Sequence, residues 1–326
     1  MRRASWIVSG AVVAAFALAA CTPPVPAVNG TPTPELGAAV VDAQVQRIVP
    51  ETFAELAAAD EAKDATLLTD RVGADAKAVR AAEYKQASAK DGAAPAELPS
   101  TTQAVYVSAV DTWPRLLVAV TAQPADQITP VVMLWVQDDV LSDYQLRGWA
   151  HMVPGATLPA MAGPSAGAAQ LPLDSTDVTP SPGTALADYL ELLRKGEDSD
   201  LNAQFAPDSY RDRLFTARTV LTKAAKAAGG AYVDTIQPDE ARTYAFQTAD
   251  GGALVFAPVS VASAFSVKNA TVSVPATDQP LVVGKLTSKV THRYLDLIVI
   301  YIPGPATGAK PGIVAADHHL IKVSPS

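Results

Sequence analysis

Leu295-Asp296-Leu297-Ile298-Val299-Ile300-Tyr301-Ile302 is the most strongly β-prone stretch of the chain. Branched and aromatic side chains fit a pleated surface, and a near-continuous apolar run suits a strand covered on both faces. The stretch therefore predicts a strand lying centrally in a sheet, with 293–302 as its full extent. Its neighbours read as strands too, at 232–236, 241–247, 252–265, 279–285 and 312–323. Two helices precede them. Ser181 is a cap, Pro182 suits a first turn, and Ala185, Leu186, Tyr189, Leu190 and Leu193 make an apolar stripe that ends at Lys195-Gly196. A second helix starts at Phe205-Ala206-Pro207-Asp208 and is closed by Gly229-Gly230.

The first half has the same order. Leu36, Val40, Val41, Val45 and Ile48 form one helical stripe, which Pro50 is expected to stop or offset. A second helix is expected over 51–62, and a third over 64–85 with a break near Gly73. The period then changes to two, giving strands at 104–108, 115–121, 130–137 and 144–153. Short polar connections favour an antiparallel meander, since parallel crossovers need about a dozen residues each. Residues 154–182 are rich in Pro and Gly and read as a linker. The expected fold class is α+β: two modules, 36–153 and 183–326, each with N-terminal helices packed on a curved antiparallel sheet.

At 326 residues the chain is long enough for about two domains of roughly 150 residues. Its formal charge of −8, without a basic stripe, argues against nucleic acid as a partner. A single cysteine excludes an internal disulfide and any multi-cysteine metal site, and no metal or cofactor is expected.

That cysteine is informative by position. Arg2 and Arg3 precede an uncharged apolar run over 4–20, too short for a membrane span of about 20 residues but right for a signal peptide. The run ends Leu18-Ala19-Ala20-Cys21, which resembles the lipobox of bacterial lipoproteins. The resemblance implies cleavage between Ala20 and Cys21, lipid on the Cys21 thiol, and an extracytoplasmic location at the cell membrane. Loss of Arg2 and Arg3 with residues 1–20 takes the formal charge from −8 to −10, so the lipid rather than a basic patch is expected to hold the protein. Residues 21–35 carry five prolines and form a tether.

The element order resembles a tandem of nuclear-transport-factor-2-like or cystatin-like domains. Asp111-Thr112-Trp113-Pro114-Arg115, 144–149 and 153–159 are also similar to uncharacterised actinobacterial lipoproteins, a resemblance that implies no activity.

The P-loop, the dinucleotide fingerprint, the His-Glu-x-x-His zinc motif and the EF-hand loop are absent from the sequence. Three sets of candidates remain. Asp296 is an acid inside an apolar strand, where burial can raise a carboxyl pKa and suit it to act as a base. His292, Tyr294 and Asp296 share one side of that strand at spacing two and form a candidate pocket, an arrangement similar to the cavity of ketosteroid isomerases. His318-His319 face opposite sides of a strand, so one of them alone can join His292 or Asp317; His151 follows Trp149-Ala150 on another strand. Trp113, Trp135 and Trp149 cluster in the first sheet, with Trp113 in a turn as the candidate for surface binding. Residues 211–213 and 197–200 read as solvated surface. The expected function is a non-catalytic binding or interaction module of the cell envelope, partnered by the membrane through Cys21 and by an envelope protein or small apolar ligand. The alternatives are an enzyme with Asp296 as general base and a lipid or lipoglycan carrier.

Overall fold

A computed structural model of the chain describes residues 36–123 and 129–325. Ala20 and Cys21, with the expected cleavage and lipidation, lie outside them. Helix α1 (Asp42–Ala62) runs straight through Pro50, where an end was expected. Val45, Ile48, Val49, Thr52, Leu56 and Ala59 are buried along one face, and packing of that continuous face outweighs the hydrogen bond that proline removes. Helix α2 (Ala74–Ala87) follows its cap Gly73, near the expected break, but of the helix expected before that break only a 3-10 turn over Ala65–Leu67 forms.

Strands β1 (Thr102–Ala109), β2 (Arg115–Thr121), β3 (Val131–Gln137) and β4 (Gln145–His151) form the expected antiparallel meander. Residues 154–182 are not a bare linker. They contain β5 (Ala168–Leu171), which pairs with β1 on one side and with the second half's sheet on the other. Helix α3 (Pro182–Lys195) follows, its Ser181 side chain accepting from the Thr184 amide as expected for the cap. Helix α4 spans Ser209–Ala227 and is capped by Asp208, so it starts later than the sequence suggested.

The remaining strands are β6 (Tyr232–Pro238), β7 (Tyr244–Gln247), β8 (Ala253–Ser266), β9 (Lys289–Ile302), β10 (Gly312–Ala316) and β11 (His319–Pro325). The strand expected at 279–285 is absent: 276–281 is a 3-10 turn, and only Val282 makes a bridge, to Val323. The strand expected over 312–323 is broken at Asp317 and His318. The two long strands each serve two short partners in series, β8 holding β7 and β6, β9 holding β10 and β11.

One sheet results, ordered β10-β9-β8-β7-β5-β1-β2-β3-β4, and the described residues form one compact unit. Its ends nearly meet. Met152, just after β4, bridges Ala315 of β10, and the Val153 amide donates to Val314 O at 3.0 Å. Strand β9 lies next to last in this order rather than centrally as expected, and so does β3 at the other end; the curl explains why both are nonetheless apolar on two faces. In β3, Val132, Leu134 and Val136 point to the interior, while Val131, Met133 and Trp135 point to α1 and α2. In β9, Leu297 and Val299 point inward, and Ile298, Ile300 and Ile302 point to the outer layer with α3 and α4. Both faces are dry, so neither strand alternates with polar residues.

Candidate functional site

The break between β10 and β11 builds the site. Had the strand continued, Asp317 and His318 would sit on the ladder. Instead each turns to a partner on another strand, Asp317 to the half-buried His151 and His318 to the buried Asp296. The Asp317 carboxylate accepts from the His151 amide at 3.1 Å and lies 2.7 Å from His151 Nδ1, with His319 Nε2 at 3.7 Å. His318 Nδ1 lies 2.8 and 3.0 Å from the two carboxylate oxygens of Asp296. Tyr210, in the first turn of α4, donates its hydroxyl to Asp296 Oδ2 at 2.5 Å. Tyr294 stacks on the His318 ring, centroids 3.8 Å apart and planes 14° from parallel.

All of these but Asp296 line a groove of about 450 Å³ between α4 and strands β6, β8 and β9, to whose wall Glu83 and Ala96 also contribute. Arg213 and Arg218 of α4 enter it from one wall. Arg218 Nε is held by Asp234 at 2.9 Å, and Asp234 also accepts from Ser263 Oγ at 2.8 Å.

The electrostatics separate the groups. Burial, followed by the Asp296 charge and hydrogen bond, pushes the Tyr210 phenol well above its ordinary range, so it remains a donor. Burial pushes the Tyr294 phenol up to about 12. The hydrogen bond to Asp317 raises the His151 pKa against burial. Burial works to raise Asp317 in turn, but the His151 hydrogen bond and the neighbouring imidazoles prevail and hold it below the ordinary carboxylate value.

The pair gives the fold a pH dependence with a definite sign. The stability that His151 contributes is complete below 6.5, its ordinary pKa, and is lost as pH rises through the raised folded value. Asp317 contributes above 3.8, its ordinary value, and loses that contribution as pH falls through its lowered folded value. His151→Gln is therefore expected to lower unfolding free energy most between these limits, by about 1 kcal/mol for a partly exposed pair. Urea unfolding of both proteins at about pH 5.5 and about pH 8.5 reads the difference, which should shrink at the higher pH as the native imidazole loses its proton. An equal difference at both values would show that the pair is not titrating.

The expected candidates separate on this geometry. Asp296, Tyr294 and His292 do share one side of β9, opposite Val259, Val261 and Ser263 of β8. Tyr294 lines the groove; His292 lies beyond its lining, its pKa lowered by burial. The Asp296 side chain has no exposed surface and meets the groove only through its partners His318 and Tyr210, so it is not placed to touch a ligand as a base. Trp135 and Trp149 belong to the core under α1 and α2. Trp113 is 38% exposed with the Arg115 guanidinium 4.6 Å from its ring centroid, and it does not line the groove. Arg211, read as solvated, is buried and sits beside the Asp208 cap.

His318 was legible only as a residue with a choice of partners. Tyr210 and Arg213 carried no signal, because nothing in a helix pattern tells which turn meets which strand. Gly163-Pro164-Ser165-Ala166-Gly167 has the spacing of a hydrolase nucleophile elbow, but it is a turn leading into strand β5 rather than a link from strand to helix, so it lacks the context that motif requires. Among the described residues, no group of three His, Cys, Asp or Glu is placed to hold a metal ion.

Residues 38–323 match the family described as Domain of unknown function (DUF8094). The chain belongs to this family. No curated protein and no solved structure matches it. The DUF8094 match takes in α1 to β10, most of β11 and every residue of the groove, while the segment with Cys21 precedes it.

Proposed function

We propose that this DUF8094 protein is a lipid-anchored, extracytoplasmic binding module of the cell envelope, with the groove between α4 and β9 as its ligand site. The observation that carries the reading is where space and chemistry coincide. The sheet interior is filled by side chains such as Leu116, Leu134, Phe246, Phe256 and Val299, whereas the groove is open and lined by imidazoles, guanidinia, tyrosines and carboxylates. Leu214, Leu221, Ile236 and Val261 share that lining, so the groove suits a small ligand with an apolar part and a polar end, and an acyl chain has no room in the filled interior. The two halves, each helices followed by strands, are read as two α+β modules fused through β5.

The anchor rests on Arg2-Arg3, the apolar run and Leu18-Ala19-Ala20-Cys21. Among the described residues, no helix is long and apolar enough to cross a membrane. Cys21→Ala is expected to move the protein from the membrane pellet to the soluble fraction and to abolish incorporation of labelled fatty acid. A variant that still pellets, together with a native protein that takes up no label, would reject the anchor.

For the groove, a photo-crosslinking residue at Leu214, in the lining, is compared with one at Val220, on the exposed side of α4. Adducts formed in intact cells at 214 and not at 220 support the ligand site. Adducts at neither, or equally at both, reject it.

A further inference from the structure

We propose that the groove is a proton-transfer site, with His318 Nε2 as general base toward water in the cleavage of an ester. This goes beyond binding and relies on the reading above only for the groove being where the ligand sits. Four observations converge on that nitrogen. Nδ1 of His318 is committed to Asp296, so the neutral ring carries its proton on Nδ1 and a lone pair on Nε2. Nε2 has no partner among the described residues, and the side chain is 27% exposed in the groove. Tyr294 stacks on the ring and fixes its plane. Tyr210 fixes the carboxylate that fixes the ring.

The cost of the arrangement supports a role beyond packing. Asp296 sits between Leu295 and Leu297 on a strand covered on both faces, with its side chain sealed from water. Replacing a buried ionic pair with well-packed apolar groups is often neutral or stabilising. The carboxylate therefore adds little to the sheet that an apolar residue would not; what it adds is the aim and tautomer of His318, the service a buried acid performs for a catalytic imidazole.

The chemistry balances with water as the co-reactant. His318 Nε2 takes a proton from water as the water oxygen bonds to the acyl carbon, and the carbonyl electron pair moves to its oxygen. Arg213 lines the groove with no ion-pair partner among the described residues and is the cation available to that oxyanion. The carbon–oxygen bond then breaks, and the imidazolium returns the proton to the departing alkoxide. The products are a carboxylic acid and an alcohol. Asp296 and Tyr210 are positioning residues.

The test uses the full chain in detergent micelles, p-nitrophenyl acetate as the probe, and nitrogen NMR of the histidine rings. Wild-type protein is expected to show the Nδ1–H tautomer at His318 and to hydrolyse the ester at least about tenfold faster than equimolar imidazole, a modest share of what positioned acid–base groups supply. His318→Gln should fall to the imidazole rate. Asp296→Asn should lose most of the excess over imidazole, up to about tenfold in kcat with little change in KM, mix the tautomers and move the pH profile, effects that a purely structural acid would not produce together. His292→Gln should keep the wild-type rate. Near-UV circular dichroism confirms that each variant is folded. An Nε2–H tautomer, a rate no higher than imidazole, or full activity in folded His318→Gln would overturn the proposal. Adducts at position 214 without turnover would leave the binding site standing and end this inference alone.

Discussion

Trp135→Ala is expected to lower the unfolding free energy by about 4 kcal/mol, at the upper end for loss of a large core side chain. Trp135 has no exposed surface and lies on the outer face of β3, where α1 crosses the sheet. Its Nε1 donates to Thr52 Oγ1 at 3.0 Å, and Thr52 donates to Ile48 O at 2.9 Å. Thr52 lies two residues beyond Pro50, so the indole ties the helix to the sheet just where proline has removed a backbone donor. Truncation costs the transfer of the indole, a cavity among closely packed neighbours, and a hydrogen bond in a dry site. Trp135→Phe keeps most of the volume and should cost about 1–2 kcal/mol, the price of the lost hydrogen bond plus a smaller void. Urea unfolding of the full chain, followed by circular dichroism, separates the two. A Trp135→Ala loss below about 1 kcal/mol would mean that the indole is not a core element.

Arg80→Ala is expected to cost about 3–4 kcal/mol at neutral pH, because removing one member of a buried ionic group leaves its partners uncompensated. Arg80 is fully buried on α2. Its Nη1 donates to Glu83 and to Ala96 O, both at 2.7 Å, its Nε lies 3.1 Å from Asp60, and its guanidinium sits 5.3 Å from the Trp149 ring centroid. The sign of the pH dependence follows from Glu83, whose pKa burial already raises even though Arg80 pulls it down. Without Arg80 it must rise further, so the variant protonates Glu83 more readily and its deficit should shrink as pH falls from about 7 to about 5. Arg80→Met, which keeps the packing and removes the charge, should show the same pH trend with a smaller loss. A deficit independent of pH would assign the cost to packing alone. The effect reaches the site, because Glu83 and Ala96 line the groove and Arg80 donates to both.

Local elements were legible where a chemical pattern is self-contained. Strand β2 has the limits the alternation implied, and α3 runs from the proline after Ser181 to Lys195 because cap, first-turn proline and stripe agree. Trp113 stands in an exposed turn as its position before Pro114 suggested. The misreadings share a cause. Pro50 was taken to stop or offset the first helix because propensity is local, whereas the whole buried face of α1 decides whether the helix continues. Residues 154–182 were taken as a linker because Pro and Gly dominate them, whereas four residues suffice to make a strand when two sheet edges wait on either side. Residues 312–323 were taken as one strand because nothing in Asp317-His318 reveals that each has a partner on a distant strand.

The site shows the same division more sharply. Asp296 stood out as an acid in an apolar run, and Tyr294 followed from strand periodicity. His318 lies 22 residues from Asp296 and Tyr210 lies 86 away, and no pattern links them. By itself the sequence determined the α+β character, the burial of Leu295–Ile302 on both faces, the unusual acid within it, and the motif that reads as a lipid anchor, because each is a property of neighbouring residues. Only the tertiary structure decided that the two halves share one nearly closed sheet, and that His318 rather than Asp296 meets the groove. Both depend on which surfaces bury one another, and burial is set by the whole chain at once.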